Sequence, residues 1–441
     1  MEPLELARRV VTKLKSSGHQ AYFVGGCVRD LLLGAQPKDY DVATDARPEE
    51  ITALFHDSGL VGAHFGVVLV REQGAQVEVA TFRSDHVYLD GRHPAGVDFE
   101  TDPRQDVLRR DFTVNALLLD PDSDEVLDFV GGRDDLRNRV VRAIGDPEAR
   151  FREDHLRMLR AVRFAARLGF GIDPATFDAI RRLRGLIHTV SAERVRDELV
   201  RILTEGSARR GFELLDQTAL LPEILPEVAA MKGVAQPPEY HPEGDVWTHT
   251  LLLLENLQSP SPTLALGALL HDVGKPPTFR VDDRIRFDGH VERGVEMATE
   301  ILTRLRFSND EIRQVTALVA NHMRFKDAPR MKVSTLKRFL RMDDFPEHLE
   351  LHRLDCVSSH GNLENYQLVL RKMQELPKEE LKPKPLITGD DLIAAGFQPG
   401  PAFAQILAAV EDAQLESKIY TREDALALIQ KHFRIPDGVP L

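Results

Sequence analysis

Asp39 and Asp41 lie one residue apart in KDYDVAT, and Gly25, Gly26 and Arg29 precede them in FVGGCVRD. KDYDVAT has strand composition, and on a strand residues i and i+2 face the same way, so the two carboxylates can share divalent cations. Oxygen donors of this kind suit Mg²⁺, which can activate an attacking hydroxyl and neutralise a departing pyrophosphate. Gly25 and Gly26 let backbone N–H groups approach phosphate closely. Arg29, at the expected start of a helix, adds a guanidinium that can hold a triphosphate. A third carboxylate often completes such a site, and Glu78 in VEVATFR is the candidate. Either piece alone reads as a turn or a tight bend; together, at this spacing, they favour catalysis.

A second constellation lies in the middle of the chain. His249 stands in DVWTHTLLLLE, His271 and Asp272 in LALGALLHDVGKPP, His290 in FDGHVERG, His322 in VANHMRF and Asp355 in LHRLDCVSSH. An apolar helix seldom ends in adjacent His and Asp by chance. Imidazole and carboxylate together suit a divalent transition metal or Mg²⁺. His241, His352 and His360 read as ordinary core or surface histidines.

These groups need elements to hold them. The chain has 441 residues, which from length alone suggests about three domains. Its composition, 42% hydrophobic and 29% charged, is that of a globular protein. The net charge of -13 argues against non-specific coating of nucleic acid. It leaves room for a nucleic-acid enzyme whose basic residues cluster, as they do here. No apolar run approaches the roughly 20 residues a membrane crossing needs. MEPLELARRVVTKLKSSG reads as an amphipathic helix with Leu4, Ala7, Val10, Val11 and Leu14 on one side, without the apolar core of a secretion signal. Cys27 and Cys356 are far apart in sequence, so no disulfide framework or Cys-type zinc site is expected, and a cytoplasmic setting is.

Up to about residue 145, β-branched runs alternate with helical patterns, and HFGVVLVREQGAQVEVATFR predicts a hairpin turning at Gln73-Gly74. Beyond residue 150 the spacing turns helical, as in EDHLRMLRAVRFAARLGF, PATFDAIRRLRGLI and SAERVRDELVRILTEG. VAQPPEYHPEGD is a Pro-rich break, LPKEELKPKPLITG a Pro/Lys linker, and Ser308/Glu311 and Thr421/Asp424 mark helix starts. The expected fold class is α+β: a head with a small mixed sheet, then an all-α neck, an all-α middle domain and a helical tail. The expected bounds are 1–145, 146–232, 233–372 and 386–441.

Five motifs in order, GGCVRD, KDYDVAT, RRDFTVNAL (Arg109–Leu117), DFVGGRDDL (Asp128–Leu136) and REDHLRMLRAVRF (Arg152–Phe164), resemble the class II tRNA nucleotidyltransferase and bacterial poly(A) polymerase family. The resemblance covers about the first 230 residues. It implies a polymerase-β-like head that adds nucleotides to an RNA 3′ end without a nucleic-acid template. Glu153, Asp154 and Arg157 resemble the family's nucleotide-selecting motif. Helical spacing would place Asp154, Arg157, Arg160 and Arg163 along one face. Asp accepts from an exocyclic amine and Arg donates to a ring nitrogen or carbonyl. Cytosine and adenine both carry an amine beside a ring acceptor, whereas uracil and guanine present a carbonyl and leave the pair unsatisfied. By the same resemblance Arg110 contacts the nucleotide, Asp111 and Asn115 hold the ribose or the local turn, and Gly131-Gly132 is a hinge or turn.

The resemblance extends to a Gly/Pro-containing loop, Phe82–Phe99, which is either a bland connection or the loop that similar enzymes need for the final A; the second disfavours an enzyme adding only C. GLVGAHFGVVLV lacks the basic stretch of similar poly(A) polymerases. Residues 240 to 360 resemble the HD phosphohydrolase superfamily. That implies His249, His271, Asp272 and Asp355 around one divalent metal, with His290 and His322 as further ligands or phosphate contacts, and phosphate ester hydrolysis, a 2′,3′-cyclic phosphate on tRNA being a fitting substrate by analogy. The tail resembles C-terminal segments of some bacterial members, where contact with tRNA, packing or dimerisation are all open. The combined expectation is CCA addition to the tRNA 3′ end from CTP and ATP with Mg²⁺, and a second activity at the HD site. The alternatives are an A-adding enzyme, a poly(A) polymerase, or a phosphohydrolase with an RNA-binding head. No membrane partner is expected, and the oligomeric state is left open.

Overall fold

The computed structural model describes residues 1–61, 66–86, 91 and 95–433, with Lys378 described by its backbone alone. Residues 62–65 of GLVGAHFGVVLV, and 87–90 and 92–94 of the Phe82–Phe99 loop, lie outside the described residues. The chain forms two compact units. One comprises residues 1–232 with 258–262 and 300–308; the other comprises 233–257, 263–299 and 309–441.

In the first unit, α1 (Pro3–Ser16) buries Leu6, Ala7, Val10, Val11 and Leu14, an amphipathic stripe with Leu6 in the place expected of Leu4. There follow β1 (Ala21–Val24), α2 (Gly26–Leu32), β2 (Asp41–Thr44), α3 (Pro48–Leu54), β3 (Ser58–Leu60), β4 (Val67–Glu72) and β5 (Ala75–Thr81). The β4–β5 hairpin turns at Gln73 and Gly74, both at positive φ, as a two-residue hairpin turn demands. β6 (Arg83–Asp85) and β7 (Val97–Phe99) pair with each other and frame the loop between them. After α4 (Pro103–Leu108) a single 3-10 turn, Thr113–Asn115, leads to β8 (Leu118–Leu119) and β9 (Val126–Leu127).

One seven-stranded sheet results, in the order β3-β4-β5-β2-β1-β8-β9. It is mixed: β2 runs parallel to β5 and antiparallel to β1. Its apolar face is filled by residues such as Val24, Ala43, Phe82, Leu118 and Ile144. Helices α5 (Gly132–Asn138), α6 (Pro147–Glu153), α7 (Arg157–Leu168), α8 (Pro174–Leu183), α9 (Ala192–Thr204) and α10 (Ala208–Gln217) complete the unit.

Two local expectations need correction, and a third is decided between its alternatives. β2 begins at Asp41, so Asp39 precedes the strand rather than lying in it. The helix of the fifth motif is broken: Asp154 ends α6 with extended backbone (φ -142°, ψ 107°), and α7 starts at Arg157. Asp154 therefore does not share a helical face with the arginines. The Asp154 carboxylate caps the break by accepting the Leu156 N–H (3.1 Å), the local competition that makes Asp a poor helix-interior residue. Finally, Gly132 is a packing glycine: a Cβ there would lie 2.3 Å from the Thr113 carbonyl oxygen. The Asp128 carboxylate gathers the N–H groups of Val130, Gly131, Gly132 and Arg133, so of the two readings, hinge or turn, the structure shows the turn.

The described residues of the second unit are mainly helical, with a short ladder, Arg280–Val281 with Ile285–Arg286, and one bridge, Ala235 with Asp245. Its C-terminal helices have their own core of Ile387, Leu392, Ile406, Val410 and Ile429. Arg338 and Arg341 pair with Glu411 and hold that segment to the helix Val333–Leu340.

Candidate functional site

A cleft of about 440 Å³ in the first unit is lined by Gly25, Gly26, Arg29, Asp41, Arg110, Asp111, Asn115, Asp154, Arg157 and Arg160, together with Arg109, Leu156, Phe164, Arg167 and Arg194. The sheet explains one end of it. Asp41 opens β2 opposite Val24 of β1, so it sits beside the Gly25-Gly26 turn. On its other side Asp41 is in register with Glu78 of β5. Gly25 has φ +79°, a backbone conformation that strains any L side chain, and the Asp41 carboxylate lies about 3.9 Å from where its Cβ would be, in ordinary contact.

Three carboxylates converge here. Burial first, and then the charge of Glu78, push Asp41 up to about 6; Arg110 opposes the rise and Asp39 adds to it. Asp39 and Glu78 are exposed and do not line the cleft itself, yet both act electrostatically on Asp41. The set offers oxygen donors only, and their mutual repulsion is what a hard divalent cation would relieve.

The arginines are fixed by a network of acids. Arg29 is buried; its Nη1 donates to the Asn115 side-chain oxygen (2.6 Å) and its Nε to Asp30 (2.7 Å). Asn115 thus orients Arg29. Arg160 donates twice to one oxygen of Asp111 (2.8 and 2.6 Å), while the other Asp111 oxygen accepts the Phe112 N–H. Burial would raise the Asp111 pKa, but Arg160 outweighs it and holds it below the ordinary range. The Phe164 ring lies 5.5 Å from the Arg29 guanidinium, 5.4 Å from that of Arg160 and 4.3 Å from that of Arg163, within cation–π reach.

Sequence reasoning missed Asp106. It is 1% exposed and accepts from both Arg109 (2.6 Å) and Arg110 (2.7 Å), on successive oxygens. Its place three and four residues before two consecutive arginines, on a short helix, was a readable signal. It also missed Arg194, in the first turn of α9, whose Nη2 donates to Asp154 Oδ2 (2.8 Å). No sequence signal linked residues 40 apart.

Two expected nucleotide-contacting residues stand outside the cleft lining. Arg163 is buried and pairs with Glu198 (2.7 Å) and Glu205 (3.3 Å), tying α7 to α9. Glu153 receives Arg150 (2.9 Å) and Arg157 (2.5 Å) and so positions Arg157.

The second unit brings together all six expected metal ligands. His249, His271 and Asp355 form one close group, and Asp272, His290 and His322 another. Asp272 joins them: one oxygen is 3.2 Å from His271 Nε2, the other 3.8 Å from His322 Nε2 and 4.0 Å from His290 Nε2. The Nε2 atoms of His290 and His322 are buried without a hydrogen-bond partner, although aimed at a carboxylate. Such orphaned nitrogens beside carboxylates are what a divalent metal would satisfy. Burial alone would lower the His249 pKa, but Asp355 and Glu243 raise it to about 9. Burial pushes His322 down to about 4. His241, read as an ordinary histidine, lies 2.8 Å from Glu243, which is also 2.7 Å from His249 Nδ1. His352 is a core residue, stacked on Phe325 at 4.4 Å. A cavity of about 630 Å³ opens over these ligands, with Lys275 and Lys326 in its wall.

Comparison with known proteins fits the order of the motifs and the fold. Residues 21–142 match the poly(A) polymerase head domain, 169–232 the probable RNA and SrmB-binding site of polymerase A, and 291–429 tRNA nucleotidyltransferase domain 2. A CCA-adding enzyme of Leuconostoc mesenteroides is 32% identical, over 97% of this chain and 96% of its own. A CC-adding tRNA nucleotidyltransferase of Thermus thermophilus is 35% identical over 93% of each. The crystal structure of the Bacillus stearothermophilus CCA-adding enzyme in complex with CTP superposes with a TM-score of 0.76 at 27% identity, covering 98% of both chains. With an α+β fold, a motif series and near full-length relatives in agreement, this chain belongs to the tRNA nucleotidyltransferase family of CCA-adding enzymes.

Proposed function

We propose that this chain adds C and A to the 3′ end of tRNA, drawing on CTP and ATP. The observation that carries the proposal is a single cleft in which the Gly25-Gly26 turn, Arg29, Asp41 and the Asp154/Arg157 pair border one space. The names of its relatives, and the CTP complex of the similar Bacillus enzyme, point the same way.

Asp39, Asp41 and Glu78 would hold Mg²⁺, which when bound supplies charge neutralisation for the triphosphate and a lowered pKa for the primer hydroxyl. Arg29 and Arg110, each braced by an acid, hold the triphosphate so that the α-phosphate faces the tRNA 3′ hydroxyl in line and pyrophosphate departs. Asp154 accepts from the amine of cytosine or adenine and Arg157 donates to the neighbouring ring acceptor, so protein side chains take the part of a template. Asp111 and Asn115 act through Arg160 and Arg29.

The test uses tRNA transcripts ending at the discriminator base, at C and at CC, with CTP and ATP supplied separately. CTP incorporation on the shortest and ATP incorporation on the CC-ended transcript are expected. Because the Thermus relative is CC-adding, a CC-only enzyme is the second reading; it would incorporate CTP twice and never ATP. Labelling from ATP alone would mark an A-adding enzyme, and long adenosine tails on unrelated RNA a poly(A) polymerase.

The second unit supports a further activity, hydrolysis of phosphate esters. His249, His271, Asp272 and Asp355, with His290 and His322, would hold a divalent metal, which supplies an activated water. Lys326, exposed in the cavity wall, can meet the phosphate, while Lys275 is held by Asp272 (2.7 Å) and Gln236 (2.6 Å). A phosphate-release assay with metal-loaded protein tests it.

A further inference from the structure

We infer that Arg194 is a specificity-determining residue: by holding the Asp154 carboxylate in one orientation it makes the cleft accept amine-bearing bases and reject carbonyl-bearing ones. The inference rests on the proposed base-reading role of Asp154.

Asp154 does not lie on a helix that would fix its side chain. It occupies the break between α6 and α7, with extended backbone. One carboxylate oxygen, Oδ1, is held by the Leu156 N–H at 3.1 Å. The other, Oδ2, accepts from Arg194 Nη2 at 2.8 Å. Arg194 comes from the first turn of α9, forty residues on, and both side chains line the same cleft. They are 16% and 23% exposed, so the pair is shielded from water on most sides but open to a ligand.

The chemistry of selection depends on this grip. An ionised carboxylate only accepts hydrogen bonds, so it can receive the amine of cytosine or adenine. Each oxygen carries two lone pairs, and Oδ2 keeps one for the base after Arg194 has taken the other. A carboxylate released from Arg194 could rotate away. Held in place, it faces the carbonyl of uracil or guanine acceptor to acceptor, which leaves both unsatisfied. Arg194 opposes that rotation, because a charge-assisted hydrogen bond holds the carboxylate in one orientation. The catalytic acids at the other end of the cleft do not depend on it.

The experiment compares single-nucleotide incorporation of CTP, ATP, UTP and GTP on transcripts ending at the discriminator base and at CC. Full-length wild type, Arg194→Ala, Arg194→Gln, Arg194→Lys and Asp154→Ala are used, each checked for folding by thermal melting. The preference for CTP over UTP, as a ratio of kcat/KM, should fall by about tenfold or more in Arg194→Ala. Arg194→Lys, which keeps the charge and a donor, should recover part of it. A merely structural role would lower CTP and UTP incorporation in proportion and leave their ratio unchanged, and that result overturns the inference. Arg194→Gln gives the same readout if the alanine variant does not fold. If Asp154→Ala loses selectivity while the Arg194 variants keep it, only the role of Arg194 is wrong. If Asp154→Ala selects as well as wild type, the base-reading proposal itself fails.

Discussion

Replacing Asp41 by Asn should stabilise the metal-free head while abolishing nucleotide addition. Burial and the neighbouring Glu78 push the Asp41 carboxyl up to about 6 from an ordinary 3.8. The folded protein therefore binds this proton more tightly than the unfolded chain does. Stability is consequently lost as pH rises from the unfolded value through the folded one. Each unit of the gap is worth about 1.4 kcal/mol, so ionising Asp41 in the folded head costs about 3 kcal/mol at pH 7.5 and roughly half of that at pH 5. Asp41→Asn removes the charge and with it the cost. The sole tryptophan, Trp247, lies in the second unit, so its fluorescence would follow the wrong part of the molecule. Amide exchange of peptides covering β1 and β2 reads the head directly. Slower exchange in Asp41→Asn, with an advantage that grows between pH 5 and 7.5, is expected. Mg²⁺ should slow exchange in wild type and have little effect on the variant. Refutation would be an Asn variant that exchanges faster at pH 7.5, or an advantage that does not change with pH; either would mean that burial and Glu78 do not penalise the ionised Asp41.

Asp106→Asn should weaken nucleotide binding on the order of tenfold and destabilise the head by about 2 kcal/mol or more, because Arg109 and Arg110 lose a buried shared acceptor; KM for CTP and thermal melting measure the two effects. Gly132→Ala should cost about 2 kcal/mol through the clash with the Thr113 carbonyl, seen as a lowered melting temperature, whereas a hinge glycine would keep its stability and change turnover alone. Asp272→Asn should abolish divalent-metal binding in the second unit, measured by calorimetry, and phosphate release with it, while CTP incorporation on tRNA stays at the wild-type level.

The motifs were legible because their chemistry is local. Gly25, Gly26 and Arg29 fall within one turn, and the β4–β5 hairpin carries its own turn signal at Gln73-Gly74. Glu78 was placed by extending a strand pattern, and its register opposite Asp41 fits that placement. The helix bearing Asp154 was misread because periodicity alone continues through REDHLRMLRAVRF; the backbone stops where Asp154 captures the Leu156 N–H. Arg194 and Asp106 escaped for different reasons. The first is brought to the cleft only by the packing of α9, whereas the second carried a local signal, its spacing before Arg109 and Arg110, that went unread. The Gly131-Gly132 pair was read as a hinge or turn, and it is a turn, held by Asp128 and packed against the Thr113 carbonyl.

A crystal structure with CTP and Mg²⁺ tests the central claim most directly, that one cleft grips the triphosphate at its acidic end and reads the base at the other. The expected electron density has the phosphates against Gly25, Gly26 and Arg29, a cation between them and Asp41, and the cytosine amine on Asp154 with Arg157 at the ring nitrogen. A nucleotide seated outside this cleft, or a base with no contact to Asp154 and Arg157, would contradict it.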